Sequence, residues 1–489
     1  MKMDFLQVRG HSIVNGNGVE VRLRGTCIGG WMNMENFIDG YPGCESGLRR
    51  TMKDALGEEN ARYFFDALLD AFFNEDDVAF IKKCGANTVR LALNYRHFED
   101  DEAPFEYREE GFSRLERAVD WCEKHGLYVI LDLHAVQGWQ NNHWHSDNEN
   151  SAALYWRHRQ FQDRLKALWR ELARRYAGRA VIAGYELMNE PIVNTPAGDL
   201  PHLYYEHYRG DWDRMNRVYR ELVAAIREVD AKHIIFIEGD VYGHLFDGLE
   251  APFADNLVYS SHHYTIAGFG PGPYPGEFNT YRVDQTHMNG YWDRSRQDLL
   301  FRESSGARFA QKHGVPLWVG EFGSQYNTGK EDAPFRIRAM DDQLASFNDW
   351  GAHWTTWTYK DMGVMGWVTV HPDSEYARIV APVQRMKTQL GAENFVGWYT
   401  DPVGKQANRA LARTIIDVIG DPSINAVSAA ACLSTLTLTG YAASCLQPTY
   451  CKYFKGMTKG DIDRVMSSFA LKNCAVNEDY IEVLKKNLR

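Results

Sequence analysis

Two glutamates carry the chemistry this sequence points to. Glu190 lies in AGYELMNEP and Glu321 in LWVGEFG, each at the end of an apolar run that reads as a buried strand. A carboxylate at the tip of such a strand is costly to bury unless it is paired or put to work. Polar residues follow other apolar runs in the same way. Arg90 lies in TVRLALNY, His134 in LDLHAVQG, Asn189 beside Glu190, His262 and Tyr264 in VYSSHHYT, and Trp357 in TTWTYKD. Two carboxyl groups among Arg, His, Asn, Tyr and Trp make the set that cleavage of a glycosidic bond requires. One carboxyl protonates the leaving oxygen and the other stabilises or attacks the anomeric carbon. An Asn beside the acid can hydrogen-bond the 2-hydroxyl, a contact that tightens in the transition state.

The elements that must hold these residues alternate along the chain. Residues 6–25 alternate apolar and polar around Asn15-Gly16-Asn17-Gly18, which predicts a hairpin leading into a strand from Val21 to Ile28. Further apolar strands are expected at 87–93, 127–133, 181–187, 234–238, 257–261, 316–321 and 354–359. Between them lie helical faces such as Phe161, Leu165, Leu168, Leu172 and Tyr176, several closed by Gly (Gly85, Gly126, Gly178). Eight strands at crossover spacing predict an α/β fold, a (β/α)8 TIM barrel, because parallel strands are buried on both faces and need helices between them. Polar residues at the C-terminal strand ends then converge on one face. No Gly-rich phosphate loop follows any strand, which argues against an open dinucleotide-binding sheet.

With the residues in view, the pattern resembles glycoside hydrolase family 5. Asn189-Glu190-Pro191 on strand four, Glu321 in VGEFG on strand seven and Trp357 on strand eight carry the resemblance, with Arg90, His134, His262 and Tyr264 at the other strand ends. It covers roughly residues 1–400. The resemblance implies a retaining double displacement, with Glu190 similar to the acid/base and Glu321 to the nucleophile. Arg90 and Tyr264 would orient Glu321, His134 and Asn189 would touch hydroxyls of the −1 sugar, His262 would lie near Glu190, and Trp357 would be the sugar's floor. The loops NMENFIDGYPG (33–43), NYRHFEDD (94–101) and QNNHWHSDN (140–148) look like a branch apart from the common cellulases. Long loops there would turn a cleft into a pocket. They point to exo action on short oligosaccharides or small glycosides, of β-glucoside or arabino- or galactofuranoside type. The alternatives are an endo-acting β-glucanase or mannanase and a non-catalytic carbohydrate-binding protein.

Composition bounds the rest. The formal charge is −11, and nucleic-acid binders carry the opposite sign, so no nucleic-acid partner is expected. The N-terminus lacks the apolar run of a secretory signal, and the eight cysteines show no CxxC spacing, so a cytoplasmic location is expected. The charge-free stretch Pro422–Cys451 is rich in Ala, Ser and Thr, and no membrane contact is expected of it. His143, His145 and Asp147 share one loop, whereas metal ligands in barrels converge from several strands. No metal and no cofactor are expected. Residues 421–489 carry 8 Lys/Arg against 6 Asp/Glu and four of the eight cysteines. We expect a catalytic domain over 1–420 and a C-terminal extension over 421–489, with amphipathic helices at 458–469 and 477–488.

Overall fold

Eight parallel strands close into a barrel in chain order in the computed structural model, which describes residues 3–194, 208–279, 288–393, 395, 400–421, 424 and 426–489. The strands are Arg24–Ile28, Thr88–Asn94, Tyr128–Ala135, Ile182–Glu186, Ile234–Glu238, Leu257–His262, Leu317–Glu321 and His353–Thr356. Each pairs in parallel with its sequence neighbours, and the eighth closes on the first through Trp354 and Arg24. The fold is a (β/α)8 barrel, in which the strands are buried on both faces and the helices wrap outside.

The two ends of the barrel are built from opposite chemistry. At the N-terminal end an apolar plug of Leu6, Ile13 and Leu23 packs on Ile130, Ile234, Phe236, Val258 and Trp318. Leu6 and Ile13 flank the hairpin Gln7–Arg9/Ser12–Val14. The tight turn of that hairpin falls at Gly10, whose φ of +59° favours glycine. The Asn15–Gly18 segment makes a second reversal, closed by the Val14–Glu20 pair. The first barrel strand accordingly starts at Arg24, later than the Val21 the alternation suggests.

Three other boundaries differ from the sequence reading. Strand two runs past Arg90 to Asn94, so Arg90 points into the barrel interior, not at its lip. Strand eight stops at Thr356, and Trp357 begins the following loop, joined to Thr358 by a cis peptide. A helix at Glu375–Leu390, unmarked in the sequence reading, precedes the closing helix Val403–Ile419.

The described residues of 421–489 lie against the barrel. Helices Lys459–Met466 and Glu478–Asn487 occupy the expected positions, and Cys474–Val476 pairs antiparallel with Val368–Val370. Buried Lys360 donates to the carbonyl of Phe469 at 2.7 Å, and Asn348 donates to that of Asn487 at 2.9 Å. Among the described residues one helix, Ala429–Lys452, is long and apolar enough to cross a membrane, with a mean hydropathy of 1.3. Its C-terminal part is buried through Ala443, Gln447, Tyr450 and Cys451. Gln447 donates to the carbonyls of Pro42 and Cys44 at 3.0 and 3.1 Å, and the Tyr450 hydroxyl meets that of Tyr376 at 2.6 Å. Tyr376 donates to the carbonyl of Asp39 at 2.6 Å, and Lys387 to those of Asn36 and Tyr41 at 2.8 and 2.9 Å. The C-terminal third of the chain thus clamps the loop at 33–44.

Candidate active site

Every strand-end residue expected in the site faces one cavity or supports a side chain that does. The guanidinium of Arg90, fully buried, is the hub. It donates to Glu186 at 2.6 Å, to Glu321 Oε1 at 2.7 Å and to Asn189 at 2.7 Å, and lies 3.1 Å from Asp132. A charge-assisted fork of this kind fixes both the carboxylate and the amide beside it. Tyr264 donates to the other oxygen of Glu321 at 3.1 Å. His134 Nδ1 meets Asp132 at 2.7 Å, and its Nε2 lies 3.2 Å from the Asn189 amide and 3.3 Å from Glu35. The indole of Trp357 lines the cavity and lies parallel to His134, with ring centroids 5.0 Å apart.

Glu190 and Glu321 face each other across His262. His262 Nδ1 is 2.7 Å from Glu190 Oε1 and 3.6 Å from Glu321 Oε2, and the three groups lie within 4.8 Å of one another. The second oxygen of Glu190 lies 3.3 Å from His145 Nε2. Glycine makes the approach feasible, since a Cβ at Gly320 would lie 3.1 Å from His262 Nε2 and one at Gly29 would overlap the Trp357 ring at 2.5 Å. His263, by strand alternation, points outward onto Phe301 and Phe347.

The backbone around the site is strained. Glu190 has a φ of +48°, and Trp139, Asp147, Val241 and Tyr242 are also left-handed. Non-glycine residues hold such angles only where the surroundings over-determine them, and two of these, Glu190 and Tyr242, line the cavity. The successive left-handed pair Val241-Tyr242 turns the chain so that the Tyr242 hydroxyl meets His143 Nε2 at 2.8 Å.

Electrostatics separate the two glutamates. Burial, and then the charge of Glu321, push the Glu190 carboxyl well above its ordinary range. Burial also raises Glu321, but the charge and hydrogen bond of Arg90 pull it back toward the ionised form. Burial raises Asp132 to about 7 and holds His134 and His145 down at about 3, so both imidazoles are neutral. A pair of carboxyls pushed apart in this way is suited to one acid and one nucleophile.

Several site residues escaped the sequence reading. Glu35, Tyr242 and Phe395 lie outside the strands and line the cavity, as does His145, whose loop the sequence marks as solvated or sugar-contacting. Asp132, two residues before His134 on an apolar strand, carried a signal in its period-two spacing. Glu238 ends the run IIFIE as Glu321 ends its own, so the rule that found the first pair finds it too. The cavity and the open solvent at its mouth together span about 980 Å³. Along its wall runs a chain of rings, Trp144, Phe37, Phe395, Phe269 and Tyr264, with successive centroids 6.2, 4.7, 6.2 and 5.8 Å apart and Phe37 set behind the lining. Asp147, grouped with His143 and His145 by sequence, instead accepts from Asn94, Arg96 and the Ser46 amide.

A closed parallel barrel with two facing carboxylates at its C-terminal rim is the architecture of a glycoside hydrolase. A family model described as cellulase (glycosyl hydrolase family 5) matches residues 69–363. A β-xylosidase of Phanerodontia chrysosporium is 34% identical over 99% of this chain and 98% of its own. Endoglucanase C of Acetivibrio thermocellus is 27% identical over 60% of this chain and 85% of its own. Among solved structures, a glycoside hydrolase superposes with a TM-score of 0.51 at 18% identity, over 70% of this chain and 90% of that one. An endogalactoceramidase gives 0.51 at 17% identity, over 73% and 75%. The chain belongs to glycoside hydrolase family 5.

Proposed function

We propose that the protein is a retaining, exo-acting β-glycosidase of small glycosides, with β-D-xylosides and β-D-glucosides its substrates. The observation that carries the mechanism is the distance across the site. Oxygens of Glu190 and Glu321 lie within 4.8 Å, which suits the ~5–5.5 Å of retaining enzymes and not the ~6.5–9.5 Å that admits a water between the groups. Glu190 donates its proton to the leaving oxygen as Glu321 attacks the anomeric carbon, giving a glycosyl ester. Glu190, now a carboxylate, takes a proton from the water that attacks the ester and frees the sugar.

Two features support exo action. Trp144, Tyr264, Phe269 and Phe395 crowd the cavity wall, and Glu35 beside His134 places a third carboxyl where it can receive sugar hydroxyls. The name of the β-xylosidase aligned over nearly the whole chain supports the glycone. The outer wall, with Ile266, Met288, Phe269 and Phe395, is apolar and suits an aryl or alkyl aglycone.

Proton NMR of the first product from 4-nitrophenyl β-D-xyloside tests the stereochemistry. The β-anomer is expected first, and the α-anomer would overturn the retaining assignment. A panel of 4-nitrophenyl β-xyloside, β-glucoside, β-mannoside, β-galactofuranoside and α-arabinofuranoside against carboxymethylcellulose tests the rest. Turnover of the polymer above that of the xyloside and glucoside would favour an endo enzyme.

A further inference from the structure

Glu238 is buried at the tip of strand five and takes no part in the chemistry above. Its Oε2 accepts the Glu190 backbone N–H at 3.0 Å. Its Oε1 faces His262 Nε2 at 3.5 Å, and neither atom has a hydrogen-bond partner among the described residues. The other nitrogen of the same ring is the one that contacts Glu190, at 2.7 Å. Two glycines flank this contact: a Cβ at Gly243 would lie 2.6 Å from Glu238 Oε1, and one at Gly320 would lie 3.1 Å from His262 Nε2. Gly243 has a φ of +75°, so a side chain there is disfavoured on both counts.

A neutral imidazole has one N–H and one lone pair, and whichever group faces one nitrogen decides what the other offers. We propose that Glu238 is a positioning residue that acts as a carboxylic acid, donating its O–H to His262 Nε2. The ring proton is then fixed on Nδ1, and the acid proton of Glu190 is confined to the oxygen beside His145. The inference rests on the reading of Glu190 as the acid/base.

The contact with Glu190 makes the tautomer matter. With the ring proton on Nε2, the bare Nδ1 would accept the Glu190 proton at 2.7 Å and turn it away from the leaving group. With the ring proton on Nδ1, Oε1 accepts and the acid proton sits on Oε2, on the cavity wall. In the first step the Glu190 O–H breaks, an O–H forms on the leaving oxygen, and that oxygen keeps the electron pair of the broken C–O bond. Glu190 is left as a carboxylate held by the Nδ1–H. In the second step it regains its proton from water, so Glu238 and His262 keep theirs throughout.

The surroundings agree. Glu238 faces the carboxyls of Glu186 and Glu190, with Arg90 opposing them, and burial pushes it well above the ordinary range. His262 faces Arg90, His134, His244 and His145 as well as Glu190, Glu238 and Glu321, and burial keeps it neutral.

The test compares Glu238→Gln, which keeps a donor for Nε2 and an acceptor for the Glu190 amide, with Glu238→Leu, which keeps neither. Gln is expected within about 3-fold of wild type on alkyl and aryl glycosides. Leu is expected to lose about 100-fold in kcat/KM on an alkyl glycoside, within the range for lost acid catalysis. It should lose under about 10-fold on a 2,4-dinitrophenyl glycoside, whose leaving group needs no proton. Equal losses on both substrates would mark a merely structural role and overturn the proposal, as would a Gln variant as damaged as Leu. Nitrogen-15 NMR of histidine-labelled wild-type protein reads the tautomer without any substitution at 238, with His262→Gln used for assignment. An Nδ1–H signal is expected for His262, and an Nε2–H signal overturns the proposal. Glu190→Ala is the control. If it shows no leaving-group dependence, the acid assignment itself fails, and this inference with it.

Discussion

The strand-borne and loop-borne halves of the site are built on different principles. Arg90, Asp132, His134, Glu186, Glu238, His262 and Glu321 all lie in barrel strands and are almost wholly buried. Their positions are set by sheet register, and their charges by one another. Glu35, Phe37, Trp144, His145, Tyr242 and Phe395 lie in loops, and their positions are set by contacts far along the chain. The loop at 33–44 is held by Lys387 and by Gln447, some 350 and 400 residues later. Rigid strands suit the groups that make and break bonds, while braced loops suit those that choose the sugar.

This contrast predicts graded losses. Removing the proposed nucleophile with Glu321→Gly should lower kcat on an activated aryl glycoside on the order of 10⁴-fold or more. Retained turnover would show that bond breaking is not centred on the strands. Glu35→Gln should act on choice of sugar, with a loss of ~10–100-fold in kcat/KM that differs between xyloside and glucoside. A loss equal for all glycones would move Glu35 into the strand-borne class. Gln447→Leu removes the donor to the carbonyl of Pro42 and leaves that of Cys44 to the Leu48 N–H alone, and it should cost ~1–3 kcal/mol of stability. It should raise KM by a few-fold with kcat nearly unchanged, and a kcat effect larger than that on KM would show that the clamp reaches the strands.

Stability against pH sharpens the same comparison. Glu35, Glu190 and Glu238 are all held well above the ordinary carboxylate range by burial. The folded state therefore keeps protons that the unfolded chain releases. Their contribution is fully present below the unfolded value and is lost as pH rises through the folded values. The buried His134, His145 and His262 act oppositely, since their folded values are lowered. Their contribution is present above the unfolded value near ~6.5 and is lost below it. Tm should thus fall as pH rises above the unfolded carboxylate range and through the raised folded values of these groups, and Glu190→Gln should flatten that fall. An unchanged alkaline slope in thermal melts would argue against a protonated carboxyl at 190.

Much of this was legible before any coordinates. The apolar strands end in Asn189-Glu190 and Glu321 because a parallel barrel is hydrophobic until its C-terminal lip, where polarity is functional. Arg90 was legible for the same reason, although its strand continues to Asn94. Glu238 was equally open to that rule, but the run ends without a flanking motif to draw notice. Glu35 and Phe395 were not legible as site residues, because nothing in NMENFIDGYPG states which way the loop folds. The turn at Gly10 was obscured by the stronger Asn15–Gly18 signal, which forms its own reversal a few residues later.

The sequence by itself determined the barrel, the paired carboxylates and the supporting Arg, His and Tyr, because period-two burial and apolar strand runs are local properties of the chain. Tertiary structure alone decided that the two carboxyls meet across His262, that Glu238 stands behind that ring, and that helices beyond residue 375 pin the loop carrying Glu35. The physical reason is range. A proton's position on Glu190 depends on groups from strands five and six, and the shape of the cavity depends on chain segments hundreds of residues apart.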